Sequence, residues 1–324
     1  MGRCPDEDLA GATNAGVATR FPINPLTSKG RVQYRQGAWG VPGKPERGDR
    51  FGATLGNGGS VIGVPGENIG RVVDAGIVVW KLKKSISQNT RGVPGRVGRG
   101  DRFGAAVTAR EVFGDNGDGD NPGKRRFLMA AIGAPGEDVK TRKDAGTALL
   151  VGETYGSKLV YSQIRPARGT AETGDRFGSA VAFVTRPTLK FDNDERLVVG
   201  APGEDIGSLS NAGAARTVPL YRYCEHACGS DAYPADDEAV TVIQGRRHTP
   251  GVAKSGNRFG AAISPLPGVE AAILVAAPGQ TVAGKADAGA VAVLDPDPTH
   301  SQQIQGQLPG QPQAHSHFGT LPSR

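Results

Sequence analysis

The pentapeptide Gly174-Asp175-Arg176-Phe177-Gly178 occurs three times in this chain of 324 residues. The same five residues stand at 48–52 and 100–104, and the stretch 256–260 differs only by Asn257 in place of the aspartate. Close to the C-terminus, His317-Phe318-Gly319 repeats the end of the pentapeptide. A motif that returns at intervals of this kind predicts a repeat architecture, in which each unit packs only on its neighbours.

Two further motifs follow each pentapeptide in a fixed order. The first is Gly-Ala-Pro-Gly-Glu or a close variant, and it occupies residues 63–67, 133–137, 200–204 and 276–280. The second is Asp-Ala-Gly or Asn-Ala-Gly, at residues 74–76, 144–146, 211–213 and 287–289. Short apolar runs join the motifs, which is typical of β-strands separated by turns that contain proline and glycine.

These ordered motifs resemble the FG-GAP repeat of the N-terminal propeller of integrin α subunits, and the chain is most similar to bacterial integrin-like repeat proteins. The resemblance covers nearly the whole chain. It implies an all-β fold, namely a β-propeller of four-stranded antiparallel blades that forms a single domain over residues 1–324. The repeats are 1–47 (partial), 48–99, 100–173, 174–255, 256–315 and 316–324 (partial).

The chain begins inside a repeat. Pro5-Asp6-Glu7 and Asn14-Ala15-Gly16 match Pro202-Gly203-Glu204 and Asn211-Ala212-Gly213. The strand that should come before them is missing, so we expect an incomplete propeller with an export signal lost upstream. The resemblance implies an extracellular or cell-surface protein, although the first residues contain no apolar segment typical of a signal peptide.

Composition fits a β protein rich in turns, with 49 Gly and 23 Pro. The formal net charge is +6, but the basic residues form no long run and aromatic side chains are few. These features argue against nucleic acid as the partner. No stretch approaches the ~18 consecutive apolar residues that would predict a membrane span.

Within the pentapeptide, the phenylalanine is expected to fill the gap between neighbouring blades, while the glycines allow close backbone approach. We expect the arginine to pair with a carboxylate at the blade junction. Arg47-Gly48-Asp49 and Arg99-Gly100-Asp101 also spell the tripeptide that some integrins bind as a ligand. The aspartates belong to the repeat, however, which favours a structural interpretation over ligand mimicry.

The densest acidic cluster lies at residues 114–120 and predicts a calcium site. Calcium binds six to eight oxygen ligands, and alternating Asp and Asn residues around a glycine turn supply them. The resemblance also places calcium loops at this point of the repeat, although the spacing departs from the family pattern. A polar loop without metal is the alternative. The candidate ligands are Asp115, Asn116, Asp118 and Asp120.

Two of the three cysteines, Cys224 and Cys228, lie close together in the longest insertion, at residues 219–239. In an exported protein they are expected to form a small disulfide, with free thiols as the alternative. A zinc site would need four ligands, and only His226 adds to the two cysteines. Cys4 has no evident partner in the sequence.

Catalytic signatures are absent from the sequence: it contains no Gly-x-Ser-x-Gly, no His-Glu-x-x-His and no phosphate-binding Gly-x4-Gly-Lys-[Ser/Thr]. We therefore favour a non-enzymatic, adhesion-like propeller that holds a protein or cell-surface polymer. The alternative is the propeller module of a secreted, phospholipase-like hydrolase whose catalytic domain lies outside this chain.

The resemblance also implies which face holds the partner, namely the one built by the loops that follow the second and fourth strands of each blade. These loops carry a partial ring of carboxylates and several arginines, and Gln280 interrupts the carboxylate ring. The predicted partner-binding residues are Glu67, Glu137, Asp138, Glu204 and Asp205.

Overall fold

The computed structural model contains almost no helix. It describes residues 1–9, 11–21, 30–115, 124–152, 158–161, 170–186, 194–220, 239–246, 249–266, 272–294 and 315. Within these ranges the only helix is the single 3₁₀ turn Asn57–Gly59. The all-β prediction is therefore confirmed. No described helix has the length and apolarity needed to cross a membrane.

The strands form five antiparallel sheets that follow one another along the chain. Sheet 1 contains β1 (Gly2–Cys4), β2 (Val17–Arg20) and β3 (Val32–Tyr34). Sheet 2 contains β4 (Thr54–Gly56), β5 (Val61–Val64), β6 (Ile77–Trp80) and β7 (Lys84–Ile86). Sheet 3 contains β8 (Ala106–Asp115), β9 (Lys124–Ala134), β10 (Thr147–Gly152) and β11 (Lys158–Tyr161). Sheet 4 contains β12 (Ala180–Arg186), β13 (Asp194–Ala201), β14 (Ala214–Leu220) and β15 (Val240–Val242), and sheet 5 contains β16 (Ile263–Pro265), β17 (Ile273–Ala277) and β18 (Ala290–Leu294).

Each sheet is a simple meander in which every strand pairs with the next one in sequence. Connections must therefore alternate between the two ends of a sheet. The turn after the second strand and the connection to the next sheet lie at the same end. We call the surface formed by these connections the loop face. Its two sets, within the described residues, are the inner turns and the linking loops. The inner turns are 5–9 with 11–16, 65–76, 135–146, 202–213 and 278–289, and the linking loops are 35–53, 87–105, 170–179, 243–246 and 249–262.

The core consists of clusters that join neighbouring sheets, and each cluster contains one phenylalanine of the pentapeptide. Phe103, for example, packs with Val78 of sheet 2 and with Ile132 of sheet 3. The equivalent residues are Phe51, Phe177 and Phe259, and none of the four is more than 1% exposed. The prediction that this phenylalanine fills the gap between neighbouring sheets is confirmed.

The first strands of sheets 2 to 5 surround a shared space. Neighbouring first strands contact each other from β4 to β8, from β8 to β12 and from β12 to β16. A cavity of about 260 Å³ is lined by Leu55, Val107, Val181 and Ile263 from these strands, and also by Met1. The sheets are thus arranged side by side, with their first strands innermost.

Sheets 1 and 5 have three described strands each, whereas the other three sheets have four. Sheet 1 begins at β1, which corresponds by motif to the second strand of the other sheets. Beyond β18, the described chain resumes only at His315. The backbone N–H of His315 donates to Ala286 O at 2.9 Å, as the Gly48 N–H does to Thr13 O at the start of sheet 2. A docking contact of the same kind therefore recurs after sheet 5.

Candidate functional site

The loop face is held together by backbone hydrogen bonds between consecutive units. The Phe103 N–H donates to Ala75 O at 2.9 Å and the Arg102 N–H donates to Asp74 O at 3.0 Å, and the same pair of bonds forms at the other three pentapeptides. A Cβ on Gly76 would lie 2.3 Å from Phe103 O, so only glycine permits this approach. Each pentapeptide is therefore fixed on the Asp-Ala-Gly or Asn-Ala-Gly turn of the unit before it.

Beneath the face, a glutamine of one unit reaches the Pro-Gly-Glu turn of the next. The Nε2 group of Gln36 donates to Glu67 Oε2 at 2.6 Å, and that of Gln88 donates to Glu137 Oε2 at 2.5 Å. The aspartate of the pentapeptide completes this junction, because it is buried and accepts a backbone N–H. In the first junction, the Glu46 N–H donates to Asp49 Oδ2 at 2.6 Å.

Burial raises the pKa of these junction acids. Asp49 is fully buried, and the loss of water raises its pKa to about 7, with a further upward contribution from the charge of Glu67. Burial likewise raises the pKa of Glu67 and that of Asp175, the latter to about 6. Burial raises the pKa of Asp101 and of Glu137 in the second junction as well. Protonated carboxyl groups are thus favoured inside the junctions.

The fourth junction contains the same geometry with amides instead of acids. Asn257 occupies the position of the pentapeptide aspartate, and Gln280 occupies the position of the glutamate in the Pro-Gly-Glu turn. The Nδ2 group of Asn257 donates to Gln244 Oε1 at 2.8 Å, and Gln244 Nε2 donates to Gln280 Oε1 at 2.6 Å. In the first junction, by contrast, Gln36 Oε1 and Asp49 Oδ1 are buried and have no hydrogen-bond partner among the described residues. A protonated Asp49 would supply the hydrogen that Asn257 supplies permanently.

The predicted partner-binding carboxylates therefore have structural contacts as well. Glu67 and Glu137 are half-buried in the junctions, and Glu204 is half-buried at the equivalent place. Asp138 and Asp205 are exposed, yet each accepts a backbone N–H across its inner turn, from Asp144 at 3.0 Å and from Asn211 at 2.7 Å. Gln280 interrupts the ring because it belongs to the amide junction, which gives the interruption a structural reason.

The arginine of the pentapeptide lies outside the junction. The four arginines have left-handed backbone, with φ between 54° and 57°, and their side chains are exposed. Across the described ranges, none of them forms a side-chain hydrogen bond or an ion pair. The expected pairing with a junction carboxylate is therefore wrong for the described residues. The four are Arg50, Arg102, Arg176 and Arg258.

Charges on the loop face are segregated between its two sets of connections. In the linking loop 87–105 the basic residues are Arg91, Arg96, Arg99 and Arg102, and the single acid, Asp101, is buried. The linking loop 243–262 contains basic residues and no acid at all. The inner turns carry most of the exposed carboxylates. The linking loops 87–105 and 243–262 are therefore positively charged, beside inner turns that carry more of the exposed carboxylates.

Other candidate residues are placed as follows. Asp115 ends β8, whereas Asn116, Asp118 and Asp120 lie outside the described residues, as do Cys224 and Cys228. Among the residues described, no group of three or more His, Cys, Asp or Glu side chains could hold a metal ion. Cys4 is exposed and free.

The Arg-Gly-Asp sequences do not present their aspartates, because Asp49 is 0% exposed and Asp101 is 3% exposed.

The junction glutamines were not predicted from the sequence, although a signal for them exists. Gln36, Gln88 and Gln244 each precede the glycine of a Pro-Gly pair by seven residues, as in Gln88 and Gly95. The Nε2 atom of Gln88 lies 2.8 Å from the point where a Cβ on Gly95 would stand, so this glycine makes room for the glutamine. Gln303 and Gly310 have the same spacing in the sequence.

Comparison with known proteins assigns no family to the chain: no family model matches it, and no curated protein matches it.

Proposed function

We propose that the chain is a β-propeller with FG-GAP-like repeats that acts as a non-catalytic binding module and holds a macromolecular partner on its loop face. The five sheets are its blades, and the first strands of sheets 2 to 5 face the axis. The observation that supports this function most directly is the loop face itself. Five copies of one inner turn and four linking loops stand side by side on it, fixed by hydrogen bonds between units.

Rigid loops of this kind suit binding, because their backbone is already ordered and little backbone conformational entropy is lost when a partner binds. The inner turns leave charged side chains exposed at their tips, such as Arg71, Lys140 and Arg142. Their backbone is closed by short bonds, as in the bridge between Val139 and Arg142 at 3.0 Å. The face is therefore a preformed surface with a fixed pattern of charge.

The test is binding of the purified chain to arrays of extracellular-matrix proteins and of polysaccharides. We expect retention on at least one of these macromolecules, and loss of retention when Arg71, Lys140 and Arg142 are changed to Glu. The matched control is Lys83→Glu with Lys84→Glu, which are exposed beside the turn at the opposite end of sheet 2. Equal losses from both sets, or no retention on any array, would reject the proposal. Hydrolysis of phospholipid by the purified chain would favour a catalytic function instead.

A further inference from the structure

We propose that the linking loops of the loop face bind an acidic polysaccharide, and that the arginine of each pentapeptide, Gly-Asp-Arg-Phe-Gly or Gly-Asn-Arg-Phe-Gly, provides the repeated contact. The inference rests on the proposed function, since it names the chemistry of the partner that this face holds. The residues concerned are Arg50, Arg102, Arg176 and Arg258.

The backbone at these arginines is unusual for the residue type. A side chain in the left-handed region costs roughly 1–2 kcal/mol, and glycine or asparagine would adopt it at lower cost. Yet arginine stands there in all four pentapeptides, with φ of 57° at Arg50 and 54° at Arg102. The guanidinium groups contribute no hydrogen bond or ion pair to the described fold. Residues kept at a strained position without an internal contact indicate an external one.

The base of each arginine is held rigidly. Its own N–H is bonded to the preceding unit, at 3.0 Å from Asp144 O in the case of Arg176. The residues on either side, Asp175 and Phe177, are 1% and 0% exposed. Only the arginine side chain therefore leaves the surface, from a Cα position that is set by the junction. The four groups are thus presented at fixed places around one face.

The surroundings of Arg102 and Arg258 strengthen their attraction for anions. Lys254 and Arg246 accompany Arg258 in a linking loop without an acid, and Arg96 and Arg99 accompany Arg102. Glu46 and Glu172 are the exposed acids in the described linking loops. The inner turns beside these loops carry most of the exposed carboxylates as well as basic tips, so an anionic chain would be favoured along the linking loops that hold no exposed acid, 87–105 and 243–262.

Guanidinium is suited to this partner because its planar fork binds sulfate and carboxylate groups through two parallel hydrogen bonds.

Nucleic acid fits the loop face less well than an acidic polysaccharide. Binding of single strands relies on rows of aromatic side chains, and Trp39 is the one exposed aromatic residue on the described part of the loop face. Reading of a duplex needs a helix or a β-ribbon that enters a groove, whereas the described part of this face consists of turns and irregular loops.

The experiment measures binding of the purified chain to dextran sulfate, to alginate, to neutral dextran and to duplex DNA at 0.05 and 0.15 M salt. The test variant is Arg50→Gln with Arg102→Gln, because glutamine keeps an unbranched polar side chain at the same backbone position while removing the charge. The matched control, Lys83→Gln with Lys84→Gln, removes two charges at the opposite end of sheet 2. Melting curves and gel filtration verify that both variants fold.

We expect the chain to bind dextran sulfate or alginate but not neutral dextran, with weaker binding at the higher salt. The two acidic polymers distinguish sulfate from carboxylate as the preferred group. The arginine variant should lose at least about tenfold in affinity, which corresponds to about 1.4 kcal/mol, and the control less than twofold. Equal losses in both variants, tighter binding of DNA, or no binding of either acidic polymer would overturn the inference. If a matrix protein is still retained through Arg71, Lys140 and Arg142, the proposed function stands while this inference fails.

Discussion

Replacing Asp49 by Asn should give the first junction the amide that the fourth has at Asn257, while Glu67 remains where the fourth has Gln280. An amide at this position can donate a hydrogen bond to Gln36 Oε1, which is buried and unpartnered, while its oxygen still accepts the Glu46 N–H. The change also removes a titrating group from the core. We therefore expect Asp49→Asn to alter the pH dependence of stability, and to raise stability at neutral pH.

The direction of this pH dependence follows from the raised pKa of Asp49, which moves from 3.8 to about 7 on folding. The folded chain retains this proton at a pH where the unfolded chain has lost it. Stability from this group is therefore complete below about pH 4, falls as the pH rises toward 7, and is constant above that. A shift of this size sets an upper limit of about 4 kcal/mol on the stability that is lost as the pH rises. Water that enters the junction on ionisation reduces this loss, and we expect a loss of about 1–2 kcal/mol.

The assay is urea unfolding followed by circular dichroism at pH 4.5, 6 and 8. The Asn variant should match the parent chain at pH 4.5 and exceed it by about 1–2 kcal/mol at pH 8. Asn257→Asp is the matched reverse change, and it should introduce a loss of stability between pH 4.5 and 8. A difference between Asp49→Asn and the parent that is the same at all three pH values would refute the reasoning, because it would show that ionisation of Asp49 has no part in it.

Three further predictions concern the scaffold and the calcium loop. Phe103→Ala should destabilise the chain by about 3–5 kcal/mol in urea unfolding, because it leaves a cavity in a cluster that two sheets share. Phe21 is 43% exposed, so Phe21→Ala should destabilise the chain by less than about 1 kcal/mol. Gly76→Ala should lower the melting temperature far more than Gly70→Ala. Both positions have positive φ, but a Cβ at Gly76 would lie 2.3 Å from Phe103 O, whereas a Cβ at Gly70 would meet no atom within 4 Å. If the 114–120 segment binds calcium, calorimetry should give a dissociation constant on the order of 10⁻⁴–10⁻³ M that is lost on Asp118→Ala, and absence of heat at millimolar calcium would contradict this.

The parts of the fold that could be predicted are those encoded by local, repeated residues. The phenylalanine and the glycines of the three motifs recur in order, and burial or close approach is the physical demand that each of them meets. The glutamines were missed because Gln36 and Gln88 contact residues of the following unit, 31 and 49 positions away. The environment of Arg102 was also misjudged, since its charge suggested a pair with a junction carboxylate while the backbone turns its side chain outward. The raised pKa of Asp49 depends on burial between two units, which neither unit reveals alone.

The junctions also have a consequence for how such a chain can change its length. Ala75 O accepts the Phe103 N–H, and Ala145 O accepts the Phe177 N–H in the same way. If residues 100–173 were removed by recombination, Phe177 would meet Ala75 and Gly76, which already fit a phenylalanine backbone. Gln88 would then face Glu204 in place of Glu137, with the same acceptor chemistry. Gain or loss of a whole unit thus creates no new kind of interface, so the number of units can vary among descendants of one gene while the surface chemistry of each loop evolves separately.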